Sequence, residues 1–118
     1  MTETEAGLLQ QYMRAVVTDG TGRKLSGQSY EASGKTGTAQ VSDTSDQTNA
    51  WFVGYAKKDG YKDIAIAVVV ENSGAGSTYA VPVAKNVCDV YFNRGYTCYE
   101  NNEYLHIYVQ FSHTGGWQ

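Results

Sequence analysis

Residues Gly34 to Thr38 of this 118-residue chain read Gly-Lys-Thr-Gly-Thr, and two kinds of chemistry use such a run. Read from Gly34 to Thr36, it is the end of a phosphate-binding loop, whose backbone N–H groups cradle phosphates while the lysine reaches the terminal ones. Read from Lys35 to Gly37, it is a Lys-Thr-Gly motif of serine acyl transfer, set on a strand beside a nucleophile. The phosphate reading fails twice. It needs a glycine at position 29, which is Ser29, and a helix opening after the threonine. The residues after Thr36 are instead Gly37-Thr38-Ala39-Gln40-Val41-Ser42, with no apolar face and no helix start to hold an anion.

The acyl-transfer reading accounts for each residue type. Lys35 supplies positive charge and a donor near an active serine and a substrate carboxylate. Threonine hydroxyls can hold that carboxylate, and Gly37 lets a substrate backbone lie close to the strand. The residue after the glycine, Thr38, can aim its backbone N–H at a developing oxyanion. A Lys-Thr-Gly triplet alone is weak evidence, since a solvated lysine beside a turn gives the same three letters.

Other chemistry finds little support. Net charge is −3 with no basic run, which argues against nucleic acid as a partner. His106 and His113 lack metal-ligand partners at useful spacing, so neither a metal nor a cofactor is expected. Cys88 falls within an expected helix and reads as a small buried hydrophobe, while pairing with Cys98 stays open. No long apolar segment or signal peptide is present, and the chain as written is expected to be soluble and without an anchor.

The elements that must position these residues follow from periodicity. Thr2 and Glu5 fit a capping box, and Leu8, Leu9, Tyr12, Met13, Val16 and Val17 share a face of a helix from about Glu5 to Val17. Gly20 and Gly22 stop it. Trp51 to Tyr55 form a strand, Asp59-Gly60 signals a hairpin, and Asp63 to Glu71 returns. The returning strand is apolar on both faces, with Ile64, Ile66, Val68 and Val70 opposite Ala65, Ala67 and Val69. That pattern predicts a central strand covered by helices on both sides. A helix is expected over Tyr79–Phe92, with Pro82 near its start, and a further strand over Glu103–Phe111. The class is α+β, an antiparallel sheet of at least three strands flanked by helices, with a possible extra C-terminal strand.

Across Leu8 to Phe92 the chain resembles the C-terminal third of penicillin-binding protein transpeptidase domains. The resemblance is carried by "SGKTGTAQ", "NAWFVGYA", "IAIAVVVENSGAG" and "AVPVAKNVCDVYF", in the family's order and spacing. It implies a partial serine β-lactamase and penicillin-binding transpeptidase fold over residues 1–93, with residues 94–118 as a tail. It also implies site roles: Lys35 and the Thr38 backbone N–H in catalysis, and Thr36, Gly37, Thr38 and Gln40 in binding a D-Ala-D-Ala stem peptide or a β-lactam. The family places an N-terminal strand beside the strand corresponding to Asp63–Glu71. No such strand precedes here, so Glu103–Phe111 is expected to fold back or swap onto that edge.

One departure is large. No serine here has a lysine three residues on, and Ser-x-Asn is absent. Without a nucleophile there is no acyl-enzyme, so the chain alone is expected to be inactive, a fragment of a peptidoglycan cross-linking transpeptidase. The parent is expected at the extracytoplasmic face of the bacterial membrane. The alternative is a non-catalytic module of the same fold that binds peptide or oligomerises through its sheet edges or tail.

Overall fold

A computed structural model describes residues 1–40, 47–93 and 105–111. Along the chain run α1 (Glu3–Asp19), a 3-10 turn (Arg23–Leu25), β1 (Glu31–Gln40), β2 (Thr48–Lys57), β3 (Ile64–Ser73), α2 (Gly76–Asn93) and β4 (Leu105–Phe111). The four strands form one antiparallel sheet in sequence order, β1-β2-β3-β4. This is the expected α+β architecture with the extra C-terminal strand.

Helix α1 is capped by Thr2, as the Thr2–Glu5 pair predicts, and runs two residues further at each end than the expected Glu5–Val17. The Glu5 backbone N–H donates to the Thr2 hydroxyl at 3.1 Å, satisfying one of the free N–H groups of the first turn. The Thr2 hydroxyl in turn donates to the Glu5 carboxylate at 3.1 Å. The helix ends at Gly20, whose N–H returns to the Val16 carbonyl at 3.1 Å. The β2–β3 hairpin turns at Asp59-Gly60. Gly60 has φ 84°, a left-handed conformation that a side chain disfavours, and the Tyr61 N–H closes onto the Lys58 carbonyl at 3.0 Å.

The core lies between α2 and one face of the sheet. Phe52 and Ala56 of β2, Ile64, Ile66 and Val68 of β3, and Ala80, Val81, Ala84, Cys88 and Phe92 of α2 are buried together. Those α2 positions recur every three to four residues and so form one stripe. Cys88 is a free thiol inside that stripe; Cys98, its possible partner, lies outside the described residues. Burial, followed by the Asp89 carboxylate, pushes the Cys88 thiol up to about 12.

Two expectations change here. Helix α2 starts at Gly76 rather than near Tyr79, because the Ala75 carbonyl accepts from both Thr78 N–H (3.0 Å) and Tyr79 N–H (3.1 Å). Pro82 therefore sits in the second turn and offers no N–H to the carbonyl four residues back. The second change concerns the sheet. The isoleucine face of β3 is covered by α2, but among the described residues no second helix closes the alanine face. Helix α1 packs along β1, with Val17 in the core and Gln10 and Met13 overhanging a groove lined by Val53, Tyr55, Lys57 and Ala65. Ala65, Ala67 and Val69 stay half-buried, and Val53 and Tyr108 are exposed.

Strand β4 pairs antiparallel with β3 from Ile64↔Phe111 to Val70↔Leu105. The tail thus folds back within the chain onto the edge that the apolar β3 would otherwise leave open. Among the described residues, no helix is long and apolar enough to cross a membrane.

Candidate active-site wall

The Lys-Thr-Gly run lies in the middle of β1, and β1 is an edge of the sheet. Its inner side is paired in full: Lys35 faces Val53, Thr36 faces Phe52, Gly37 faces Trp51 and Thr38 faces Ala50. Its outer side carries no further strand among the described residues. Alternation sends Lys35 and Gly37 to the face shared with Trp51 and Val53, and Thr36 and Thr38 to the face shared with Phe52 and Ala50. Lys35, Thr38 and Gln40 are exposed, whereas Thr36 is only 5% exposed.

Three contacts hold this run. The Lys35 ammonium donates to the Thr36 carbonyl at 2.7 Å, which keeps the charge folded over the strand. The Thr36 hydroxyl shares a hydrogen bond with the Thr21 hydroxyl, 2.5 Å away, from the turn after α1. Gly37 lies against the Trp51 indole so closely that a Cβ there would come within 2.1 Å of the ring. Behind it, Gly76 opens α2 directly over Gly37 and the Trp51 carbonyl. Glycine at 37 and 76 lets indole, strand and helix stack without an intervening side chain.

The start of β1 is anchored separately. Arg14 of α1 donates to the Ala32 carbonyl. Tyr30 stacks on Phe92 with ring centroids 5.0 Å apart, and its hydroxyl donates to Asp89 at 2.7 Å. Burial, then that hydrogen bond to Asp89, pushes the Tyr30 phenol above its ordinary range. Lys85 pairs with the other Asp89 oxygen at 2.7 Å. At the hairpin end, the Lys58 ammonium lies 5.2 Å from the Tyr61 ring centroid and donates to the Phe92 carbonyl at 3.3 Å, near the last turn of α2.

All five residues singled out from the sequence, Lys35, Thr36, Gly37, Thr38 and Gln40, therefore fall on one edge strand. Chemically this strand offers a cation, the exposed Thr38 hydroxyl, the buried Thr36 hydroxyl and backbone donors, and none of its own residues is a nucleophile activated by a neighbouring base. Thr21 and Gly76 escaped sequence reasoning. Both sit in glycine-rich runs, Gly20-Thr21-Gly22 and Gly74-Ala75-Gly76, which read as turns and carry no spacing that links them to position 36 or 37. Among the described residues, no group of three or more His, Cys, Asp or Glu is placed to hold a metal ion.

Comparison with known proteins adds two findings. A family model described as "Penicillin binding protein transpeptidase domain" matches residues 1–89, from α1 into α2. The chain is also similar to "Peptidoglycan D,D-transpeptidase MrdA" of Haemophilus influenzae, 35% identical over 104 residues. That alignment covers 76% of this chain and 16% of the relative, so only a small part of the relative's length is represented. No solved structure matches.

Proposed function

The chain belongs to the penicillin-binding protein transpeptidase domain family, and on that premise we propose that it supplies one wall of a D,D-transpeptidase site in peptidoglycan cross-linking. The complete site would acylate a serine with a stem peptide, release D-alanine and pass the acyl group to an amine, at the extracytoplasmic face of the membrane. In this reading Lys35 and the Thr38 backbone N–H act on the reacting centre. Thr36, Gly37, Thr38 and Gln40 receive the D-Ala-D-Ala terminus or a β-lactam. The observation that carries the reading is the position of Lys35–Gln40 on a strand at the edge of the sheet, beside which no further strand lies among the described residues.

An edge strand has aligned donors and acceptors, so an extended peptide can add to it. The Ala32 and Thr36 carbonyls, which share a direction along the strand, accept from the Arg14 and Lys35 side chains, and this supports their facing the free side. Residues two apart along a strand turn their backbone groups the same way, which directs the Thr38 N–H outward as well. That is the direction an oxyanion donor requires. The serine must come from elsewhere, because Ser-x-x-Lys is absent from this sequence. The chain alone therefore binds without acylating.

The test is a titration of the isotope-labelled chain with an N-acetylated peptide ending in D-Ala-D-Ala, beside exposure to a fluorescent penicillin. Amide shifts centred on Lys35–Gln40 with no covalent label support the reading. A stable label, or peptide shifts that avoid β1, would overturn it.

A second reading rests on β4. Leu105–Phe111 contains no Asp, Glu, Lys, Arg or Pro, and Tyr108 is 80% exposed. An edge strand without such guards is open to pairing with another copy. Sedimentation showing a concentration-dependent dimer that Tyr108→Lys abolishes would favour that role.

A further inference from the structure

We propose that Thr21 is a positioning residue for the carboxylate-binding part of β1, acting through the Thr36 hydroxyl; this rests on the reading that β1 receives a substrate carboxylate. The two hydroxyl oxygens are 2.5 Å apart although the residues are 15 positions apart in sequence. Thr36 is 5% exposed and Thr21 is exposed, and the hydrogen bond between them is part-buried. A threonine hydroxyl has one proton to donate and two lone pairs to accept with. If Thr36 is to donate its proton to an anion, it must accept from Thr21. Thr21 then sets the direction of the chain: Thr21 O–H to Thr36 Oγ1, and Thr36 O–H to the carboxylate.

The turn that presents Thr21 is built to hold one geometry. The N–H groups of Gly20 and Gly22, on either side of it, both donate to the Val16 carbonyl, at 3.1 and 2.9 Å. The Leu25 N–H closes onto the Gly22 carbonyl at 2.9 Å. Val17 and Leu25, fully or nearly fully buried, pin the turn at both ends. A Cβ at 20 or 22 would crowd the Val16 carbonyl oxygen at 3.0 or 3.3 Å, so the run Gly-Thr-Gly suits a turn this tight. Threonine's branched side chain has few rotamers to choose from, which suits a fixed donor.

The experiment uses the full chain as wild type, Thr21→Ser and Thr21→Val. The Thr36 χ1 rotamer is read without ligand, from three-bond couplings to its methyl carbon. Binding of the N-acetylated D-Ala-D-Ala peptide is read from amide shifts. Thr21→Val should keep a dispersed spectrum, release Thr36 to rotamer averaging and weaken peptide binding up to about tenfold, the scale of one lost hydrogen bond between neutral groups. Thr21→Ser should restore both. Thr36 couplings unchanged in Thr21→Val would overturn the positioning role whatever the peptide does. Failure of Thr21→Ser to rescue would overturn it as well, since the hydroxyl would not be the active feature. Rotamer release in Thr21→Val with a wild type that binds no peptide would sink the substrate reading and reduce Thr21 to a structural contact.

Discussion

Gly76 stands against Gly37: a Cβ on Gly76 would lie 2.7 Å from the Gly37 carbonyl oxygen and 3.0 Å from its nitrogen. The first residue of α2 and the glycine of the Lys-Thr-Gly run are in backbone contact. All three nearest neighbours of that Cβ, the Trp51 carbonyl oxygen at 2.6 Å included, are main chain, so none can swing aside. Gly76→Ala should therefore push the helix start away from β1. A destabilisation of about 1–3 kcal/mol is expected, the range for overpacking. Denaturant midpoints measure it, and amide shifts should change most at Thr36–Thr38. A midpoint unchanged from wild type would show that the contact yields freely.

Gly37 has a second neighbour that can move. A Cβ there would meet the Trp51 indole at 2.1 Å. Gly37→Ala should swing the ring outward rather than break the strand. The expected result is a red shift of Trp51 emission, read in a Trp117→Phe background, with retained far-UV circular dichroism.

Tyr30 and Lys85 share Asp89, one carboxylate oxygen each. The Tyr30 side is buried and the ion pair is part-exposed. A hydrogen bond to a charged acceptor is worth about 1.5–3 kcal/mol, whereas a part-exposed i,i+4 pair is worth about 0.3–0.5. Tyr30→Phe should thus cost more stability than Lys85→Ala. The reverse order in thermal or denaturant unfolding would contradict this ranking.

Alkaline pH should loosen the fold through Cys88. Its ordinary value is 9.0, and in the fold it is pushed up to about 12. Between these values the unfolded chain releases a proton that the folded chain keeps, so stability falls as pH rises through this window. Below pH 9 this contribution is fully present. Cys88→Ala should flatten the decline between pH 9 and 10, before Tyr30, raised above its ordinary 10.0, adds a loss of the same sign. Denaturant midpoints at pH 8, 9 and 10 compare the slopes, independent of the cavity that the substitution leaves.

Removing residues 105–118 should expose the β3 edge. The β3 amides that face β4 across Ile64–Val70 should lose hydrogen-exchange protection, and those facing β2 should keep theirs. Equal protection with and without the tail would mean that β4 pairing is not maintained in solution.

Elements with strong periodicity are legible in the sequence. The β2–β3 hairpin emerges from Trp51–Tyr55, Asp59-Gly60 and the apolar run after it, and α1 from its cap and its apolar face. Strand β1 is harder to read, because Ser33, Gly34 and Gly37 carry little side-chain alternation. Gly34 is covered by Phe52, and Gly37 by Trp51 and the start of α2, rather than by any apolarity of their own. The alanine face of β3 suggests more cover than the described residues give it: small residues permit a helix to approach, but do not supply one. The Thr21–Thr36 contact is invisible for a different reason. A hydrogen bond between two turn-prone polar residues leaves no mark on hydropathy, and only the fold brings them together.

The sheet order has a kinetic consequence. β1 to β3 form a meander of neighbouring strands, whereas β4 reaches β3 only after α2 has been traversed. Closing that longer loop costs more chain entropy than closing a hairpin, so β4 is placed to zip up last and to peel first. A strand that docks after the transition state contributes little to the folding rate and mainly slows unfolding. β4 thus acts on the lifetime of the folded state more than on the speed of reaching it.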